Sequence, residues 1–307
     1  MRRTAREQTI WQLPGQALAL GRRTLVMAIV NITPDSFSDG GSFFSPEVAV
    51  AHALQALDEG AAILDFGAES TRPGSQAGGK ADTAAAPLVS TEEEQARLLP
   101  VLEDVLKARP HAVISIDTYK AATARAALMA GAAIINDVSG FLWDREMPVV
   151  CAEFKAGVVL GHTRGLPEEW AAQPALAGDA LMRTVCEGLA ESLSIAAQAG
   201  LARENLVLDP CYGFGKRFEE NFSLLARQEE LLALGRPLLI GLSRKSFLGH
   251  VLAPLHDGRD APVDRRENAS LAALTAAILH GASIMRVHAV RPAVEAAQTA
   301  DAILAAE

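Results

Sequence analysis

Eight times along this 307-residue chain, an apolar run of strand length is followed by an alanine-rich stretch of helix length. The strand-like runs are residues 24–31, 61–69, 111–117, 132–138, 157–163, 205–210, 237–243 and 283–290. The helical stretches are 45–61, 90–110, 120–132, 146–157, roughly 178–200, 218–235, 266–282 and 291–307. Most of the strand runs are continuous Val/Ile/Leu rather than alternating, as parallel strands covered on both faces require. Punctuation agrees with this division. Ser45 and Ser90 suit helix N-caps, Pro46 suits a first turn, and three glutamates follow Ser90 at the positive end of its helix. Eight such units at this length predict a (β/α)8 TIM barrel as a single domain over residues 21–307, with residues 1–20 as an N-terminal extension. A doubly wound open sheet is the fold alternative. No linker is long or polar enough to divide the chain, and the low-complexity stretch at 74–90 lies inside one strand-to-helix connection, where it reads as a mobile loop.

Composition narrows the function classes. Half of the residues are hydrophobic and 21% are charged, a globular balance, and the formal net charge is −9. No basic run could neutralise phosphates along a duplex, so no nucleic-acid partner is expected. No eighteen-residue apolar run is present, so no membrane partner is expected either. The N-terminus carries basic residues but no apolar signal core. The three cysteines, Cys151, Cys186 and Cys211, form no CxxC pair. They read as packing residues in a reduced, cytoplasmic protein.

In a barrel of this kind, chemistry gathers at the C-terminal ends of the strands. There the sequence places Asn31, Glu69, Asp117, Asn136 with Asp137, His162, Asp209, the segment "SRKS" (243–246), and Arg286 with His288. Asp117, Asn136 and Asp209 stand opposite Arg72, Arg244, Lys245 and Arg286. Such a rim can hydrogen-bond the edge of a flat nitrogenous ring on one side and hold an anion on the other, so a heterocycle carrying phosphate is the expected ligand. "GFGK" (213–216) lacks the spacing and the following Ser/Thr of a P-loop. The eleven-residue "NITPDSFSDGG" (31–41) is too long and polar for a plain connection and reads as a binding loop.

The segments "NITPDSFSDGG", "ESTRPG", "ISIDT", "IINDVSG", "LDPCYGFGK", "GLSRKSFLG" and "IMRVHAV" occur in this order, each at a strand end. Together they resemble the dihydropteroate synthase family over residues 20–305. The resemblance implies condensation of 6-hydroxymethyl-7,8-dihydropterin pyrophosphate with p-aminobenzoate, and these small molecules as the partners. It assigns Asp117, Asn136, Asp209, Gly241 and Lys245 to the pterin, with Asp209, Lys245, Asp117 and Asn136 as the catalytic set. It assigns Asn31, Arg286 and His288 to the pyrophosphate, with Mg²⁺ at Asn31. Thr71, Arg72, Pro73, Phe214 and Ser246 fall to p-aminobenzoate, and Asp35 and Phe37 to the family's first mobile loop. A homodimer is implied too, and the apolar stretch 270–282 would permit one. The chain departs from the family pattern in its longer second loop, in Gly161 where Met is usual, and in Cys211 where Gly is usual. Two other readings use the same barrel: a methyltetrahydrofolate-dependent methyltransferase, which has no need of "STRPG" or "SRKS", and a non-catalytic pterin-binding paralogue.

Overall fold

A computed structural model describes residues 6–33, 46–69 and 89–306. The chain opens with two strands, β1 (Thr9–Leu13) and β2 (Gln16–Leu20), paired antiparallel as a hairpin. Then come β3 (Leu25–Asn31), α1 (Pro46–Asp58), β4 (Ile63–Gly67), α2 (Thr91–Ala108), β5 (Ile114–Asp117), α3 (Ala121–Met129), β6 (Ile134–Asp137), α4 (Met147–Phe154), β7 (Gly157–Gly161) and α5 (Gly178–Gln198). β8 (Leu206–Asp209), α6 (Phe218–Ala226), β9 (Leu238–Ile240), α7 (Ser246–Val251), α8 (Glu267–Leu279), β10 (Ala282–Val287) and α9 (Val290–Ala305) complete it. Strands β3 to β10 pair in parallel, each with its neighbours in sequence, and β10 returns to β3 to close the barrel. This is the (β/α)8 architecture that the eightfold alternation predicts.

Side chains on each strand alternate between the barrel interior and the helix layer. Leu25, Met27, Ile63, Ile134, Val159, Val207, Leu239 and Ile284 point inward and form one buried cluster. Their outward neighbours, such as Val26, Leu64, Ile135, Val158 and Leu208, belong to a second cluster shared with the helices. The hairpin joins the inner cluster and closes the N-terminal end of the barrel. Trp11 is fully buried there, with Leu13 and Leu20 beside it. Trp11 Nε1 donates to the Asn205 carbonyl at 2.7 Å, and Asn205 Nδ2 donates back to the Gln12 carbonyl at 3.0 Å. The N-terminal extension thus ends as a cork on the barrel.

Local chemistry sets the element ends. Ser90 caps α2 by accepting from the Glu93 amide at 3.1 Å. The helix expected over 218–235 breaks after Ala226 and continues as 3₁₀ turns over Gln228–Leu234. There Gln228 is buried, with Nε2 donating to the Ala277 and His280 carbonyls and Oε1 accepting from Tyr212. The apolar period continues through the break, so the pattern alone could not reveal it.

Candidate active site

The polar mouth is built by the same inward positions, one step further along each strand. After inward Ile63 comes Asp65, which stands level with Ser115 on β5. Asp117 stands level with Asn136, and Gly161 with Asp209. Asp65 is fully buried and anchors the network. Its Oδ1 accepts from Ser115 Oγ at 2.6 Å. Its Oδ2 accepts from Asn136 Nδ2 at 3.1 Å and from Arg286 Nε at 2.6 Å. Arg286 Nη2 donates to Asp117 Oδ2, also at 2.6 Å. The guanidinium is therefore held at two corners by two carboxylates, an ion-pair geometry that fixes its plane. Sequence reading passed over Asp65, because it lies in the middle of the apolar run "AAILDFGAE" rather than at its end.

The opposite side of the mouth comes from β8 and the loops after β8 and β9. Asp209 is buried, and its Oδ1 accepts from the Cys211 amide at 2.7 Å. Lys245 Nζ stands 3.8 Å from the centroid of the Phe214 ring, a cation–π contact. Trp170 packs behind Phe214 at 5.0 Å between ring centroids. Lys216 holds this loop in shape, donating to the carbonyls of His162, Cys211 and Phe214. Gly241 lies beside Arg286: a carbon added there would stand 3.9 Å from the arginine Cβ. His288 meets Ser243, with Nδ1 3.1 Å from its Oγ.

Burial shapes the proton affinities. Desolvation pushes Asp117 up to about 7 against the pull of Arg286, and the Asp65, Glu94 and Asp137 carboxylates add to the rise. Desolvation also raises Asp209, opposed by its bond from the Cys211 amide and by Lys245. Burial lowers Lys245 to about 8. A carboxyl pushed up to about 7 beside a lysine lowered to about 8 is typical of a working cleft.

Not every expected rim group faces this mouth. Arg244 turns to α8, where Nε pairs with Glu267 at 3.3 Å. Asp137 points outward and ties its own turn, accepting from the Ser139 and Phe141 amides. His162 is buried over Gly188 of α5, and desolvation holds it neutral. Asn31 sits half-buried at the end of β3, and Ser246 is exposed at the start of α7. Asp35, Phe37, Thr71, Arg72, Pro73 and the expected cap Ser45 lie outside the described residues.

Gly161 has a structural reason. A Cβ there would fall 2.5 Å from the Val138 carbonyl oxygen and 2.7 Å from its Cα. The loop after β6 fills the place where a side chain would go.

Comparison with known proteins points the same way as this geometry. Residues 27–288 match the family model described as pterin binding enzyme. The dihydropteroate synthase of Bacillus subtilis is 39% identical over 288 residues, covering 94% of this chain and 91% of that protein. Among solved structures, the Yersinia pestis dihydropteroate synthase in complex with a sulfonamide drug superposes with a TM-score of 0.84 at 36% identity, covering 97% of this chain and 100% of that one. The Xanthomonas albilineans enzyme with 4-aminobenzoic acid gives 0.83 at 36% identity, covering 97% and 99%. The chain belongs to the pterin-binding enzymes and, within them, to the dihydropteroate synthase family.

Proposed function

We propose that the mouth of this barrel joins 6-hydroxymethyl-7,8-dihydropterin pyrophosphate to p-aminobenzoate, releasing 7,8-dihydropteroate and pyrophosphate. The observation that carries this reading is the division of one buried mouth into two chemistries. Asp117, Asn136 and Asp209 offer hydrogen-bonding edges to a flat ring, while Arg286 and Lys245 offer positive charge. Asp117, Asn136, Asp209, Gly241 and Lys245 would hold the pterin, and Asn31, Arg286 and His288 the pyrophosphate. Phe214, with Ser246 at its edge, would line the p-aminobenzoate side. Thr71, Arg72, Pro73, Asp35 and Phe37 keep the roles that the family resemblance gives them.

The chemistry follows from these positions. The bond from the pterin CH₂ to the pyrophosphate oxygen breaks, and its electron pair leaves with the pyrophosphate. The arylamine nitrogen bonds to that CH₂ and then gives up a proton. Positive charge builds on the ring during departure, and the buried Asp209 carboxylate is placed to stabilise it. Negative charge builds on the leaving group, and Arg286 answers it from a fixed plane. No covalent enzyme nucleophile is needed. Asn31 brings one carboxamide oxygen, and among the described residues no group of three or more His, Cys, Asp or Glu side chains is arranged to hold a metal. That donor set suits magnesium arriving with the pyrophosphate, since this ion keeps most of its ligands as water and phosphate oxygen. When bound, magnesium would neutralise charge on the departing pyrophosphate.

A cytoplasmic location and a homodimer belong to the same proposal. No helix among the described residues is long and apolar enough to cross a membrane. α8 turns Ala273, Leu274, Ala277 and Ile278 into the fold, so the stretch 270–282 offers little free apolar surface. Exposed Phe218, Phe222, Val251, Leu255 and Val263, on α6, α7 and the turns beyond, are the better support for a dimer. Light scattering on the purified protein tests it.

The test of function is pyrophosphate release with protein, Mg²⁺, the pterin pyrophosphate and p-aminobenzoate together. Release that depends on both organic substrates is expected. Release no faster than the enzyme-free control contradicts the reading.

A further inference from the structure

Asp65 takes no direct part in the chemistry above, yet it bonds both Asn136, a group assigned to the pterin, and Arg286, a group assigned to the pyrophosphate. It rests beneath the rim, fully buried, with three side-chain donors converging on it. A carboxylate can only accept hydrogen bonds. Asn136 must therefore turn its Nδ2 inward to Asp65, which leaves its Oδ1 facing away as an acceptor. Arg286 is constrained in the same way. Asp65 takes Nε and Asp117 takes Nη2, and Nη1 makes no hydrogen bond to any described residue. Ser115 donates to the other oxygen of Asp65, on the side away from Asn136 and Arg286.

Stability alone is a poor reason for this arrangement. Well-packed apolar side chains commonly replace a buried ionic cluster at no cost in stability, and the other inward positions just below are apolar. The cluster instead connects a group assigned to the pterin with a group assigned to the pyrophosphate.

We propose that Asp65 is a positioning residue for the condensation, presenting the acceptor edge of Asn136 to the pterin ring and aiming Arg286 Nη1 at the pyrophosphate. This rests on the functional reading above, and the test separates the two. The variant is Asp65→Asn, which keeps the shape but places an NH₂ where only acceptors stood. Ser115→Ala is the comparison, since it loosens the same cluster on the side away from Asn136 and Arg286. Binding is measured by calorimetry with two probes, 6-hydroxymethylpterin and inorganic pyrophosphate with Mg²⁺, alongside the melting temperature of each variant. Wild type is expected to bind both probes. Asp65→Asn should weaken each on the order of tenfold or more, the usual consequence of misdirecting a charge-assisted hydrogen bond. Ser115→Ala should lower the melting temperature while leaving both affinities within about threefold, less than one hydrogen bond's worth of free energy. Failure of wild type to bind either probe overturns the functional reading and this inference with it. If wild type binds and folded Asp65→Asn binds both probes within twofold of it, only this inference falls. It falls also if Ser115→Ala loses as much affinity as Asp65→Asn, because the cluster would then be merely structural.

Discussion

The two ends of this barrel are made from the same eight strands and treat burial in opposite ways. At the N-terminal end, Trp11, Leu13 and Leu20 close the interior with apolar surface, and the polar Trp11 Nε1 has one backbone partner. At the C-terminal end, Asp65, Asn136 and Asp209 are buried, and Asp117 and Arg286 nearly so, with about a fifth of each side chain exposed. The same parallel strands run through both ends, so the contrast lies chiefly in the side chains, although the mouth loops also take left-handed backbone at Cys211 and Arg244. The lower end gains from removing apolar surface from water. The upper end carries desolvated charge, which is costly unless paired, and the pairing sets up directed groups. Stability and chemistry are thus separable along one strand, a few residues apart.

If that separation holds, mutations at the two ends should fail in different ways. The largest effect is expected at the mouth. Asp209→Asn or Lys245→Ala should lower kcat/KM by on the order of 100-fold or more while the protein still melts cooperatively, since each removes a preorganised charge. Steady-state kinetics and a thermal scan on the same sample check both halves of this statement. Trp11→Ala should do the reverse, costing about 3–5 kcal/mol of stability by denaturant titration, with kcat of the folded fraction unchanged.

Gly161→Met sharpens the boundary between the ends. A side chain there meets the Val138 backbone, so we expect overpacking of about 1–3 kcal/mol and weaker pterin binding, rather than an improved site. The smallest effect concerns pH. Protonation of Asp117 removes an acceptor as pH falls through about 7, and Lys245 loses its charge as pH rises through about 8. The profile of kcat/KM for the pterin substrate should therefore be bell-shaped, falling on the acid side of about 7 and on the alkaline side of about 8. The midpoint of thermal unfolding for Trp11→Phe should show no such bell.

Much of this contrast was legible in the sequence, for a physical reason. A polar residue that ends a continuous apolar strand must sit at a rim, which is why Asp117, Asn136 and Asp209 could be named before any coordinates; Arg286 lies inside the run 283–290 and is marked instead by the motif "IMRVHAV". Asp65 escaped because it interrupts a run that continues past it to Glu69. The period of two through Ile63, Asp65 and Gly67 would have found it, since it shares the inward face. The hairpin escaped because "TIWQLPGQALAL" follows a basic terminus and was grouped with it. Its Pro-Gly turn between two short strand-like runs was the available signal, and Gly15 adopts a φ of +69° there. Two features had no sequence signal. The outward turn of Arg244 depends on its pairing with Glu267, and the closing of the space at Gly161 depends on the path of another loop.

The most direct test of the separation is a calorimetric titration of the pterin pyrophosphate into Trp11→Phe and into Asp209→Asn, both at a temperature where each is folded. Near wild-type affinity in Trp11→Phe and loss of binding in Asp209→Asn is the predicted result. Equal losses in the two, or binding kept by Asp209→Asn and lost by Trp11→Phe, would contradict the account.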